Sequence, residues 1–385
     1  MSEQQVDLSC RNFLKTSASV AAGLAILGMS TPSFAKEVAL KKTTLSQIPT
    51  DPVAVAQSSE LVQNAWNYLL DQINTIHNSE LKAQVLGLYQ NTVPTFMKLY
   101  QDPSQVQALY DNLLKVALVY PKLTPIDKFF PPLKDLNTAP QPFFSAPGSG
   151  YASHHAYPGG LVTHTAVNVE ITKGILAAYK GIMNYEEQYD IAMAGELLHD
   201  LAKPWVFQWQ QDGSSLPEYQ IAGTGAHHIF SIAEAIYRGL PAAEVVAQAC
   251  AHNHPGSPND EAQVVNWLKA AAYIAAKDPI ELGLLDKDGQ HLHTPHQHAG
   301  YIVHLGDHDW VLSVPVAQQS VAYLKQAAVQ GYGLKEDDLK GLEFNKFRNY
   351  IAAQYSFMHL HSNLANSADP LAEAIKLSQA VVAKA

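Results

Sequence analysis

Histidine and aspartate recur along this chain where one metal ion could gather them. Glu196–Pro204 reads E-L-L-H-D-L-A-K-P, which sets His199 beside Asp200 among Leu197, Leu198, Leu201 and Ala202. An unpaired charge buried among such residues is costly, so the pair calls for a compensating partner. His164 lies upstream in P-G-G-L-V-T-H-T; His227, His228, His252 and His254 lie downstream, and Asp278 stands before Pro279. Imidazole and carboxylate together suit divalent Fe, Mn, Co, Ni or Zn without singling one out. Cys10 and Cys250 are the only cysteines, so a metal here must be held by His, Asp and Glu. Lys203 follows Asp200 by three residues and brings a cation suited to a phosphate oxygen or a leaving group. His154, His155 and Tyr157 precede Gly159-Gly160 and are expected to line the substrate mouth.

The elements that must position these residues are helical. Apolar residues recur at three and four over 58–76, 80–100 and 103–119, then over 161–179, 187–202, 228–238, 242–252 and 264–277. Further helices are expected near 316–329 and 343–355 and after Pro370. Between the first three and the rest, the prolines from Pro121 to Pro147 mark a surface connector. Trp205–Trp209 and Pro217–Ile221 flank Q-D-G-S-S and suggest a β-hairpin. Pro204 cannot continue a helical hydrogen-bond ladder, which puts His199 and Asp200 near a helix end. Nearly every candidate ligand falls at such an end, and helix ends gathered at one side of a bundle can build a metal site. His291, His293, His296 and His298 read as a solvated loop.

The order His, His-Asp, His, His, Asp resembles the HD superfamily of metal-dependent phosphohydrolases. So does the wording H-H-A-Y-P-G-G-L-V-T-H-T followed by L-L-H-D-L-A-K; the likeness covers about 153–278. It implies an all-α helical bundle, here with a small hairpin insertion and extra helices at both ends. It implies hydrolysis of a nucleotide or other small phosphate ester, with His164, His199, Asp200 and Asp278 as ligands of a first metal and His228 and His252 completing a second position. Asp200 would bridge the ions, which activate water and neutralise phosphoryl charge. The domain order implied is a helical region over 36–120, the connector over 121–150, the HD domain over 151–280 and a helical region over 281–385. The same wording occurs in 3'-5' exoribonucleases, and a non-enzymatic sensory module is the remaining alternative.

Composition narrows these classes. The 385 residues are 47% hydrophobic and 16% charged with net charge -10, a globular balance that disfavours broad binding to nucleic acid or anionic membrane. A small phosphorylated substrate is expected. Residues 1–35 run from S-C-R-N-F-L-K through an apolar stretch to P-S-F-A, the order of a cleaved export signal. This resembles a twin-arginine signal, with Cys10 where the first arginine stands, and implies a periplasmic or exported protein with no membrane span in the mature chain.

Overall fold

Local capping chemistry starts the first four helices in a computed structural model that describes residues 38–151 and 153–384. The expected export signal lies outside the described residues. β1 (Thr43–Thr44) leads to α1 (Pro52–Ser58), whose first N–H groups donate to the Asp51 carboxylate. Ser59 caps α2 (Glu60–Asn74), Asn78 caps α3 (Ser79–Gln90), and Asp102 forms a capping box with Gln105 at the start of α4 (Pro103–Lys115). Each cap satisfies N–H groups that a helix start leaves without internal partners.

The expected connector holds only single 3-10 turns, Ile126–Lys128 and Phe143–Ser145. It is pinned by Phe129 and Phe143, both buried. Then come α5 (Gly160–Met183), α6 (Tyr189–Leu198) and the short α7 (Lys203–Val206). The expected hairpin is displaced. Trp205 and Val206 are helical, and only one bridge, Trp209 to Ser215, joins the flanks of Q-D-G-S-S. The ladder that does form is β2 (Gln220–Ile221) against β3 (Thr224–Gly225), antiparallel. Pro204 sits in the first turn of α7, where its missing N–H costs nothing.

α8 (Ala226–Arg238), α9 (Ala242–Ala249) and α10 (Pro258–Ile274) follow. α11 (Gln297–Gly306) was not expected: the His-rich tract is an exposed turn only as far as His296. α12 (Trp310–Tyr332), α13 (Leu342–Ala365) and α14 (Pro370–Val381) complete the helices, and β4 (Val382–Ala383) pairs in parallel with β1. The all-α bundle is therefore the architecture. Leu40–Ala385 forms one compact unit.

Two layers of packing matter for function. α5, α6, α9 and α11 pack together through Ala192, Ala247, Ala251, Ala299, Ile302 and Val303. Small residues let these helices approach closely: a Cβ on Gly195 would stand 3.1 Å from the Gln248 backbone nitrogen. A second core joins α12, α13 and α14 through Leu324, Phe344, Phe347, Tyr350 and Val381. The polar side of α13 grips the loop before α5: Arg348 donates to Tyr151 O at 2.8 Å, and its guanidinium lies 4.5 Å from the Tyr151 ring. No helix among the described residues is long and apolar enough to cross a membrane.

Candidate metal centre

The Gly159-Gly160 pair explains how a loop can lie against the start of α5. Gly159 adopts φ +84°, and a Cβ on Gly160 would come within 1.7 Å of His155 O. Only residues without side chains fit both positions. The loop closes on itself, with Gly148 N donating to His155 O at 2.9 Å, and His164 lies one turn into the helix. On the facing helix, α6 ends at Leu198, His199 is its C-cap, and Asp200 lies in the following turn. Leu197, Leu198, Leu201 and Trp205 anchor that turn in the core.

Four side chains then converge. Asp200 Oδ2 lies 3.1 Å from Nε2 of His164 and 3.1 Å from Nε2 of His199. Asp307 Oδ1 lies 3.4 Å from the same two nitrogens. The other oxygens of both carboxylates face a second group, with Asp200 Oδ1 3.3 Å from His227 Nε2 and Asp307 Oδ2 3.5 Å from His252 Nε2. Although buried, Asp200 Oδ1, His199 Nε2 and His227 Nε2 lack hydrogen-bond partners, and Asp200 Oδ2 is met by the Lys203 ammonium. Close approach without hydrogen-bond alignment is what ligand atoms facing a common cation show, so the donor set fits one or two divalent ions.

The structure redistributes the expected ligands. His164, His199, Asp200 and His252 are brought together. Asp278 is not: it is exposed after α10, and its carboxylate accepts from the N–H groups of Ile280 and Glu281. Asp307, after α11, occupies the place expected of it. His228 is buried beside the site, its ring stacked on His252 at 4.1 Å and its Nε2 donating to Ala249 O at 3.1 Å. That bond aims it at backbone, and His227 is the residue facing Asp200. His254 is also outside the cluster, its Nδ1 accepting from Gly256 N.

A surrounding shell orients the rings. His199 Nδ1 donates to Glu196 O at 2.7 Å and His227 Nδ1 meets Glu218 Oε1 at 2.5 Å, while His164 Nδ1 faces Asp309 Oδ1 at 3.3 Å without a hydrogen bond. In each case Nε2 is left toward the centre, the arrangement that orients a metal-binding imidazole. Asn168 Nδ2 donates to Asp307 Oδ1 at 2.8 Å and lies 3.2 Å from His164 Nε2. Asp307, Asp309, Glu218 and Asn168 went unrecognised in the sequence. For Asp307 and Asp309 the signal was the buried trio Ala299, Ile302 and Val303, whose helical spacing foretells a helix ending just before them.

Charge is strongly unbalanced inside the cluster. Burial and the Lys203 cation oppose protonation of His164, yet the carboxylates of Asp200, Asp307 and Asp309 push its pKa up to about 10. Burial likewise opposes the charged form of His199, and Asp200 and Asp307 hold it well above its ordinary value. His252 is pushed down to about 4, chiefly by burial. Protons are thus drawn to His164 and His199, from which a bound cation would displace them.

Around the centre is a cavity of about 280 Å³ lined by Ser149, His154, His164, Lys203, His227, His252, Asp307 and Trp310. His154 lines this cavity. Its Nδ1 lacks a partner, and burial followed by the neighbouring His164 holds its pKa well below the ordinary value. His155 points to Asp309 at 3.0 Å, and Tyr157 is buried with its hydroxyl 2.8 Å from Thr163 Oγ1, so neither lines the cavity. The Lys203 ammonium is bound by Asp200 and by Gly148 O. A larger cavity of about 460 Å³ between Trp66, Tyr89 and Phe143 holds no ionisable cluster, so the chemistry belongs to the smaller one.

No protein-family model matches the chain. No solved structure matches it either. Over 121 residues it is 30% identical to the dihydroneopterin 2',3'-cyclic phosphate phosphodiesterase of Methanocaldococcus jannaschii, which covers 31% of this chain and 48% of that protein. The chain thus spans about half the length of the curated relative it matches, and what it shares with that phosphodiesterase is similarity over one segment.

Proposed function

We propose that this chain is a divalent-metal-dependent phosphohydrolase, and that its substrate is a small-molecule phosphodiester of the cyclic kind named for the archaeal relative. The observation carrying this reading is the pair Asp200 and Asp307, each turning one oxygen to His164 and His199 and the other to His227 or His252. His164, His199, Asp200 and Asp307 would hold one ion; Asp200, His227 and His252, with Asp307, would hold a second. Bound there, divalent ions would supply Lewis acidity, neutralising phosphoryl charge and lowering the pKa of water.

The chain's own groups do the rest. Lys203 restrains Asp200 and ties it to the 148–155 loop, and its remaining N–H can reach a phosphate oxygen. His154, at the mouth, can exchange a hydrogen bond with the leaving oxygen. Burial of His164, His199, Asp200 and Asp307 keeps water from screening these charges. The export signal over 1–35 belongs to the same proposal, and amino-terminal sequencing of protein from a native host tests it.

A panel of 2',3'-cyclic nucleotides, linear phosphodiesters and phosphomonoesters, assayed with Mn or Fe, tests the activity. Turnover of the cyclic diesters, lost on chelation and restored by metal, is expected; inactivity across the panel with metal bound would refute the hydrolase reading.

A further inference from the structure

One wall of the metal-site cavity is unlike the rest. Ser149, Lys203, Asp307 and four histidines supply polar groups, whereas Trp310 supplies a large indole surface that is 48% exposed. It starts α12 directly after Gly306-Asp-His-Asp309, so the turn that delivers the carboxylates of Asp307 and Asp309 also delivers this ring. His308 packs against it, ring centroids 6.0 Å apart at 29°, and His308 Nδ1 donates to His304 O at 2.8 Å. The ring is therefore braced from a neighbouring helical turn.

Burial of an indole is ordinarily strongly favourable, so leaving one exposed on a cavity wall forgoes that gain until something covers it. Val311 and Leu312, which follow it on α12, are 58% and 56% exposed. The cavity opens to solvent, so a bulky substituent on a phosphate held at the metal ligands can run out along the rim past Trp310. A planar ring gains most from such a surface, because stacking on an indole is tolerant of the ring's polar edge groups.

We infer that Trp310 is a specificity-determining residue: the phosphate is held at the metal ligands while a planar aromatic heterocycle of the same substrate stacks on Trp310. Substrates are then phosphate esters of nucleoside-like molecules, selected over sugar or alkyl phosphates. This deepens the hydrolase reading and rests on it for the location of the phosphate.

The test separates the two by measuring binding rather than turnover. Adenosine 5'-monophosphate and ribose 5-phosphate, which differ by the base, are titrated into the manganese-loaded full chain by calorimetry. The expected result is adenosine monophosphate bound at least about tenfold tighter, a preference that falls to within about twofold in Trp310→Ala and largely survives in Trp310→Phe. Equal binding of the two ligands by the unaltered protein, or a preference that survives in Trp310→Ala, overturns the inference. Circular dichroism confirms that the variants are folded; the residue is half exposed, so its removal leaves the core intact. Base preference through Trp310 without hydrolysis of any phosphodiester would fault the catalytic reading alone, and hydrolysis without base preference would fault this one alone.

Discussion

Asp307 Oδ1 lies 3.4 Å from His199 Nε2, although the chain runs through α7 to α11 between them; the packing of α11 on α6 and α9 brings them together. That contact places Asp307 beside the histidine pair, whereas the Asp278 carboxylate accepts from Ile280 and Glu281. Asp307→Ala is expected to lose most of the bound metal and at least about a hundredfold in kcat, since a first ligand is gone. Asp278→Ala is expected to keep metal content and kcat within about twofold, costing only its turn bonds to Ile280 and Glu281. Elemental analysis and steady-state assays of the two variants decide the matter; the reverse pattern would restore Asp278.

Glu218 pairs with His227 Nδ1 and holds its other nitrogen toward Asp200. Glu218→Gln keeps the shape and removes the charge. Affinity at the second metal position is expected to fall about tenfold, in the usual range for the partner of a ligating histidine, while the first ion is retained. Stepwise metal titration reads the two positions separately, and an unchanged second step would show that His227 is not a ligand.

Gly160 has no room for a Cβ, because His155 O and C would lie 1.7 and 2.8 Å away. These are backbone atoms, which cannot swing aside as a side-chain end would. Gly160→Ala should destabilise the protein by about 1–3 kcal/mol or more and disturb His154 and His164 together. Urea unfolding with an unchanged m-value measures the loss.

Glu244 is fully buried with both carboxylate oxygens unpartnered, and burial pushes its pKa up to about 8 from an ordinary 4.5. Below pH 4.5 folded and unfolded chains are both protonated at this group. Between pH 4.5 and 8 the unfolded chain releases the proton that the folded chain keeps, so stability falls as pH rises, by at most about 1.4 kcal/mol per pH unit. Glu244→Gln removes that slope. Its stability relative to the unaltered protein, measured by urea unfolding, should grow from pH 5 to pH 8; a constant difference would show that Glu244 does not titrate there.

Much of this was legible in sequence. Apolar residues at three and four gave most helices, Asp51, Ser59 and Asp102 lie at helix starts, and the side-by-side His199 and Asp200 among leucines required an ion or an equivalent partner. Local chemistry fixed these because each depends on residues within a turn or two of one another.

The remaining assignments depended on long-range placement. His227 and His228 are neighbours separated by about 100° around α8, so which one faces Asp200 is set by how α8 is rotated against the turn after α6. Asp278 and Asp307 both follow helices, and only the packing of α11 on α6 and α9 puts the second at the centre. The abundance of histidine in that stretch hid the helix, because its buried face is only Ala299, Ile302 and Val303. Residue types set what chemistry the chain could do; helix rotation and packing, which no local spacing encodes, decided which histidine and which aspartate do it.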